Sequence, residues 1–292
     1  MSVTSREIES QPGVWRDALA LLPQVADKLP APGARVALIG CGTSYYMAQS
    51  AAAAREALAL GESDAFVASE MPLGRDYDLV IAISRSGTTT EVVRALQALN
   101  NGTRSLAITT AAEAPVALAA GESILMPFAD EESVVQTRFA TAALALLRAH
   151  FGHDLTAAIA DAEEALAKPI PADPAAFEQF VFLGGGWTVG LTGEAALKLR
   201  EAGGAWAESY PAMEYRHGPI SVAGERTLVW MLGRCEPALL ADIRETGASV
   251  VENGADPMAE LVGIQRAAVA LAQARGLDPD RPRHLTRSVV LP

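Results

Sequence analysis

The sequence predicts an α/β fold with mainly parallel sheets, and three observations carry that expectation. Short apolar runs, Val36 to Ile39 and Leu79 to Ile83 first among them, alternate with longer Ala- and Leu-rich stretches, which is the pattern of successive βαβ units. Each of these two runs passes into a tight polar turn and then a helical pattern: Gly40-Cys41-Gly42-Thr43-Ser44 after the first, Ser84-Arg85-Ser86-Gly87-Thr88-Thr89-Thr90 after the second. The same succession returns in the second half, where Phe180-Val181-Phe182-Leu183 runs into Gly184-Gly185-Gly186 and an Ala-rich stretch.

Taken in order, the opening segment spaces Trp15, Leu19, Leu22, Val25 and Leu29 as an amphipathic helix does, and Pro30-Ala31-Pro32-Gly33 ends it. A strand at 35–39, a helix at 46–60, strands near 64–68 and at 79–83, a helix at 88–99, a strand at 104–109, a helix at 114–119, a strand at 123–126 and a helix at 134–150 follow. Lys168-Pro169-Ile170-Pro171-Ala172-Asp173-Pro174 reads as a linker, because clustered prolines propagate neither ladder nor helix. Thr227 to Leu232, followed by Gly233-Arg234, echoes Leu79 to Arg85, so the chain reads as two related halves. The expected organisation is a helical segment at 1–29, a first domain at 30–166, a linker at 167–176, and a second domain with a C-terminal tail at 177–292.

Composition narrows the function. A net charge of −12 over 292 residues argues against general affinity for nucleic acid or an anionic membrane, so any anion site must be local. The two cysteines, Cys41 and Cys235, make neither a disulfide framework nor a zinc cluster. The first nine residues lack an apolar signal region and no run reaches membrane-spanning length, so an unanchored cytoplasmic protein is expected.

The two polar turns of the first half suit a phosphate dianion, because they bring backbone N–H groups and small hydroxyls to helix N-termini. In a parallel sheet both lie at the carboxyl edge of the strands, where such sheets bind ligands. The second-half turns lack the Thr-Ser pair and the Ser-Gly-Thr run, which assigns phosphate binding to the first half. The second half has its own chemistry-bearing stretch. Glu194, Lys198 and Glu201 share one helix face, and Arg216-His217-Gly218-Pro219 exposes an imidazole at a Gly-Pro break. Taken singly, the row reads first as a solvated face with ordinary ion pairs, and the histidine equally as a capping or a catalytic residue.

Together these segments resemble the SIS (sugar isomerase) phosphosugar-binding family. The resemblance rests on Cys41 to Tyr45, Ile83 to Thr89, Glu132 to Arg138, Glu194 to Glu201 and Glu214 to Pro219. Glu7-Ile8-Glu9-Ser10-Gln11-Pro12 is also similar to the start of the isomerase part of glucosamine-6-phosphate synthases. The resemblance implies two tandem SIS domains, each a flavodoxin-like α/β/α sandwich. It also implies a homodimer with its active site near the subunit boundary, a hexose 6-phosphate substrate, and no metal or other cofactor.

By position, Ser44, Ser84, Ser86 and Thr89 would hold the phosphate with backbone N–H groups of Gly42, Thr43, Gly87 and Thr88. Arg85 stands where the synthases carry glutamine and would add a charge-assisted contact. Glu201 would move a proton between C1 and C2, and His217 would open the sugar ring. Lys198 and Arg287 fall at catalytic positions, and Val134 and Glu194 at positions facing the sugar.

Arg287 replaces a lysine that forms a Schiff base in the synthases, and a guanidinium does not readily form that imine. Lys198 is the one lysine within the motifs. The sequence starts at the isomerase part, so glutamine-dependent synthesis is not expected of it. Ser133 to Arg138 and Glu214 to His217 sit closer to stand-alone deaminases and isomerases, which favours a catabolic aminosugar or deoxysugar phosphate reaction. The rival expectation is a phosphosugar-binding regulatory protein without turnover, which would leave Glu201 and His217 idle.

Overall fold

In chain order the elements are α1 (Val3–Glu9), α2 (Gln11–Val25), β1 (Val36–Gly40), α3 (Thr43–Ala57), β2 (Ser63–Val67), β3 (Leu79–Ile83), α4 (Thr90–Gln97), β4 (Arg104–Thr109), α5 (Pro115–Ala119), β5 (Glu122–Leu125), α6 (Arg138–His150), α7 (Thr156–Ala167), β6 (Gln179–Gly184), α8 (Thr188–Glu201), β7 (Trp206–Pro211), β8 (Thr227–Leu232), α9 (Pro237–Glu245), β9 (Ser249–Val251) and α10 (Pro257–Ala274). The structure, a computed structural model, describes residues 1–100 and 102–291. It divides into two units, Gly13–Leu155 with the tail from Thr286, and Met1–Pro12 with Thr156–Leu285.

The unit that holds Gly13–Leu155 carries a parallel five-stranded sheet in the order β2-β1-β3-β4-β5, the strand order of flavodoxin-like doubly wound folds. Every residue of β1 and β3 is buried. That is why these strands read as continuous apolar runs rather than alternating ones, as strands covered on both faces do. Trp15 on α2 is fully buried and donates its indole N–H to Thr141 Oγ1 of α6 at 2.9 Å.

The other unit carries a parallel sheet in the order β7-β6-β8-β9, the same second-first-third-fourth arrangement. The strand-to-helix turns of the two sheets share one backbone device. A Cβ on Gly40 would fall 2.6 Å from the carbonyl carbon of Ser44, and one on Gly184 would fall 2.4 Å from Thr188 Oγ1, four residues on in both cases. Two residues after each, Gly42 and Gly186 take φ of 55° and 56°, a region that costs other residues about 1–2 kcal/mol.

Three boundaries differ from expectation. The single opening helix is two helices, and α1 belongs with the second sheet. There Thr4 donates its N–H and hydroxyl to Asp280 Oδ1 at 2.7 Å each, and Gln11 donates to Gln265 Oε1 at 2.7 Å. The helix expected from residue 134 starts at Arg138, because Glu131 Oε1 accepts from Thr137 N (2.5 Å), Arg138 N (2.8 Å) and Thr137 Oγ1 (2.8 Å). A carboxylate on first-turn amides fixes where a helix begins. The proline-rich stretch after Ala167 does follow a helix, but that helix, α7, packs on α10 within the second unit. Among the described residues no helix is long and apolar enough to cross a membrane.

Candidate functional site

Each unit contributes a distinct cluster. In the first, β1 and β3 are adjacent and parallel, so the turns that leave them emerge at the same edge of the sheet. Gly42 is the N-cap of α3, and Thr43 and Ser44 are buried in its first turn. After β3, Ser84 Oγ accepts from Gly87 N at 3.2 Å and Ser86 Oγ accepts from Thr88 N at 3.3 Å. Gly87 holds φ 63°, and a Cβ there would lie 2.4 Å from that of Ala114. Thr89 caps α4 without using its hydroxyl on the helix. The loop therefore presents hydroxyls and amides at a helix N-terminus, the arrangement that favours an anion. Beside it, burial followed by the charge of Glu91 pushes the Cys41 thiol up to about 11, against a lowering contact with the Ala68 backbone. Burial thus disfavours the thiolate form of Cys41.

Arg85 departs from expectation. Only 1% exposed, it turns into the protein rather than toward the loop's open face. Its Nη1 donates to Ser133 O at 2.8 Å, its Nη2 to Val134 O at 3.4 Å and Arg287 O at 2.9 Å, and Glu131 Oε2 lies 3.6 Å away in a fully buried ion pair. The direct phosphate contact expected of Arg85 gives way to a bracing role, since a buried guanidinium is held where carboxylate and carbonyls surround it. Val134 enters this cluster through its carbonyl. The side chain of Arg287 pairs with Asp130 at 2.6 Å on a half-exposed surface.

The second cluster lies on α8. Lys198 and Glu194 are each 1% exposed, and Glu201 is 19% exposed in its side chain. Lys198 Nζ donates to Glu201 Oε2 at 2.5 Å and sits 3.3 Å from Glu194 Oε1. Burial alone would lower the Lys198 pKa, but the charges of Glu194 and Glu201 outweigh it and leave the pKa above the ordinary lysine value. The solvated-face reading of this row is therefore overturned: it is an interior ion-pair chain whose last member opens outward. Glu201 lines a cavity of about 250 Å³ with Arg200, Asp278, Arg281, Arg283 and His284. His217 follows a 3₁₀ turn at Ala212–Arg216, is exposed as expected at the Gly-Pro break, and lies outside that cavity.

Three participants escape sequence reasoning. Glu131 is a partner of Arg85 remote in sequence. His284 enters the Glu201 cavity with φ 63°, unusual for a non-glycine residue. Ser288 meets the loop after β3: Thr88 Oγ1 donates to Ser288 Oγ at 2.7 Å, and Ser86 Oγ lies 3.2 Å from it. Glu131 and Ser288 reach Arg85 and the Thr88 hydroxyl across long sequence separations, which no local pattern signals.

Residues 31–151 match the model of the SIS domain family. Glutamine–fructose-6-phosphate aminotransferase (isomerizing) of Gloeobacter violaceus is 29% identical over 98% of this chain and 58% of its own length. The protein of that name from Sulfurisphaera tokodaii is 29% identical over 88% of this chain and 50% of its own. The chain thus spans about half the length of these curated relatives. Among solved structures, glucosamine-6-phosphate deaminase from Thermotoga maritima superposes with a TM-score of 0.88 at 27% identity, covering 99% of this chain and 100% of that one. Tagatose-6-phosphate ketose/aldose isomerase from Escherichia coli shares the fold with a TM-score of 0.84 at 19% identity, over 100% and 96% of the two chains.

Proposed function

From a chain whose residues 31–151 match the SIS domain, we propose an enzyme that isomerises or deaminates a hexose or hexosamine 6-phosphate by proton transfer between C1 and C2. Residues 177–285 belong to the second SIS domain in this reading, supported by the shared strand order and the matching Gly40/Gly184 turns, while the tail from Thr286, expected with that half, groups with the first unit. The protein acts in the cytoplasm as a homodimer.

The observation that carries the reaction is Glu201: a partly exposed carboxylate facing a cavity, with one oxygen tied to a buried lysine. A fixed carboxylate with a free oxygen is the group an aldose–ketose shift needs. It takes the C2 proton from the open-chain aldose to give an enediol, or an enolamine from an aminosugar, and returns the proton at C1. From the aminosugar this gives a C2 imine, which water hydrolyses to the ketose phosphate and ammonia. Lys198 positions Glu201, and Glu194, 1% exposed and therefore closed to the sugar it was expected to face, holds Lys198. His217 opens the ring. Ser44, Ser84, Ser86 and Thr89 bind the phosphate with the amides of Gly42, Thr43, Gly87 and Thr88, while Val134 and the Arg287 tail border the sugar.

The test is ammonia release from glucosamine 6-phosphate and galactosamine 6-phosphate, and interconversion of hexose 6-phosphates, by purified protein and its Glu201→Gln variant. Turnover should fall by about 10³-fold or more in the variant, with sugar phosphate affinity retained. Binding without turnover in the wild type would instead favour the regulatory reading.

A further inference from the structure

The C-terminal tail and Arg85 form an assembly that the proposed phosphate site does not yet explain. Residues 287–291 run along the hydroxyl loop and are fastened to it at three points. Arg85 Nη2 donates to Arg287 O at 2.9 Å, Thr90 N to Val289 O at 3.2 Å, and Leu291 N to Thr90 Oγ1 at 2.9 Å. None of these uses the hydroxyl of Ser86 or Thr88. Those two converge instead on Ser288 Oγ, at 3.2 and 2.7 Å. Hydroxyls at such spacing can rotate from one another onto a shared anionic oxygen without moving the backbone.

Resting on the phosphate reading above, we propose that Ser288 is a further ligand of the substrate phosphate and that Arg85 is the positioning residue that holds it there. The same guanidinium grips Ser133 O and pairs with Glu131, whose carboxylate caps α6. It therefore sets the tail, the 131–137 loop and the phosphate loop in one register. An arginine suits this task because its planar fork meets several carbonyls at fixed angles, which a lysine does not.

The test uses the full chain, calorimetric titration with glucosamine 6-phosphate and with glucosamine, and three variants: Ser288→Ala, the charge-neutral pair Arg85→Gln/Glu131→Gln, and all three changes together. The Glu131→Gln change keeps a side-chain oxygen for the α6 amides, so the pair avoids a stranded buried charge. Ser288→Ala should weaken the sugar phosphate about tenfold, the value of one hydrogen bond to a charged group. The pair should weaken it by a similar factor and speed amide exchange at Thr90 and Leu291. The triple variant should lose no more than the pair, because residues acting through one contact are non-additive, whereas a merely structural Arg85 would give losses that multiply. Unchanged or tighter binding in Ser288→Ala overturns the assignment, the latter showing a tail that competes with phosphate. A wild type that binds glucosamine as tightly as its 6-phosphate overturns the phosphate reading and this inference with it.

Discussion

Replacing Lys198 with methionine separates the interior ion-pair chain from every solvated alternative. The side chains are of similar length, so the cavity term is small, and the cost is electrostatic. Lys198 and Glu194 are each 1% exposed at 3.3 Å, and removing the cation strands Glu194 in an environment that cannot solvate it. Breaking a buried pair from one side costs about 3–5 kcal/mol. At about 2–4 °C per kcal/mol for a chain of this size, the melting temperature should drop by about 6–20 °C. Adding Glu194→Gln removes the stranded charge and should restore all but about 1–2 kcal/mol. Urea unfolding at pH 7, followed by circular dichroism with the slope held common, reads both differences. The wild type adds a pH arm. Because the folded-state pKa of Lys198 is raised, its contribution is fully present below the ordinary lysine value and is lost as pH rises through the folded one. The alkaline decline should flatten in the double variant. Turnover should fall in both variants, since Glu201 loses its tether in each. A loss under about 1 kcal/mol for Lys198→Met, the size of a surface pair, or a double variant as unstable as the single one, would refute the buried-chain account.

Two further outcomes follow from particular contacts. Gly87→Ala places a methyl 2.4 Å from Ala114 Cβ at φ 63°; it should cost about 2 kcal/mol or more and weaken sugar phosphate binding, both readable by thermal unfolding with and without ligand. Burial first, then the charge of Asp161, raises the Glu260 pKa against opposing bonds from Trp230 (2.9 Å) and Asn253 (3.0 Å). The folded state therefore holds its proton more tightly than the unfolded chain, and stability falls as pH rises from the ordinary carboxylate value through the raised one. Glu260→Gln keeps an acceptor for both donors and should abolish that part of the decline in a pH series of urea midpoints.

How much of this was legible in the sequence depends on the range of the interaction concerned. The strand-turn-helix units were readable because each is local: an apolar run buried on both faces, a glycine where the chain crosses its own first helical turn, then small hydroxyls. The Glu194–Lys198–Glu201 row was half readable. Periodicity put the three on one face but not on the side that faces inward, and amphipathic reasoning turns charges outward by default. The corrective signal was partly present in α8 itself, where Leu191, Ala195, Ala196 and Leu199 are buried around the row; a helix whose exposed position is Arg200 alone has little solvent face to offer its charges. Arg85 was not readable in this way. Amid loop hydroxyls a cation points naturally to an anion outside, and only tertiary structure supplies Glu131 and three carbonyls inside. In both clusters a buried cation bonds or pairs with a neighbour of the group assigned to substrate and does not itself open to solvent. Lys198 holds Glu201 by one oxygen, and Arg85 holds the segment that carries Ser288. The division has a physical basis: a group that must be fixed to within a fraction of an ångström is best fixed by charges that water does not screen. The residues that meet the ligand are then free to be short, neutral or singly tethered.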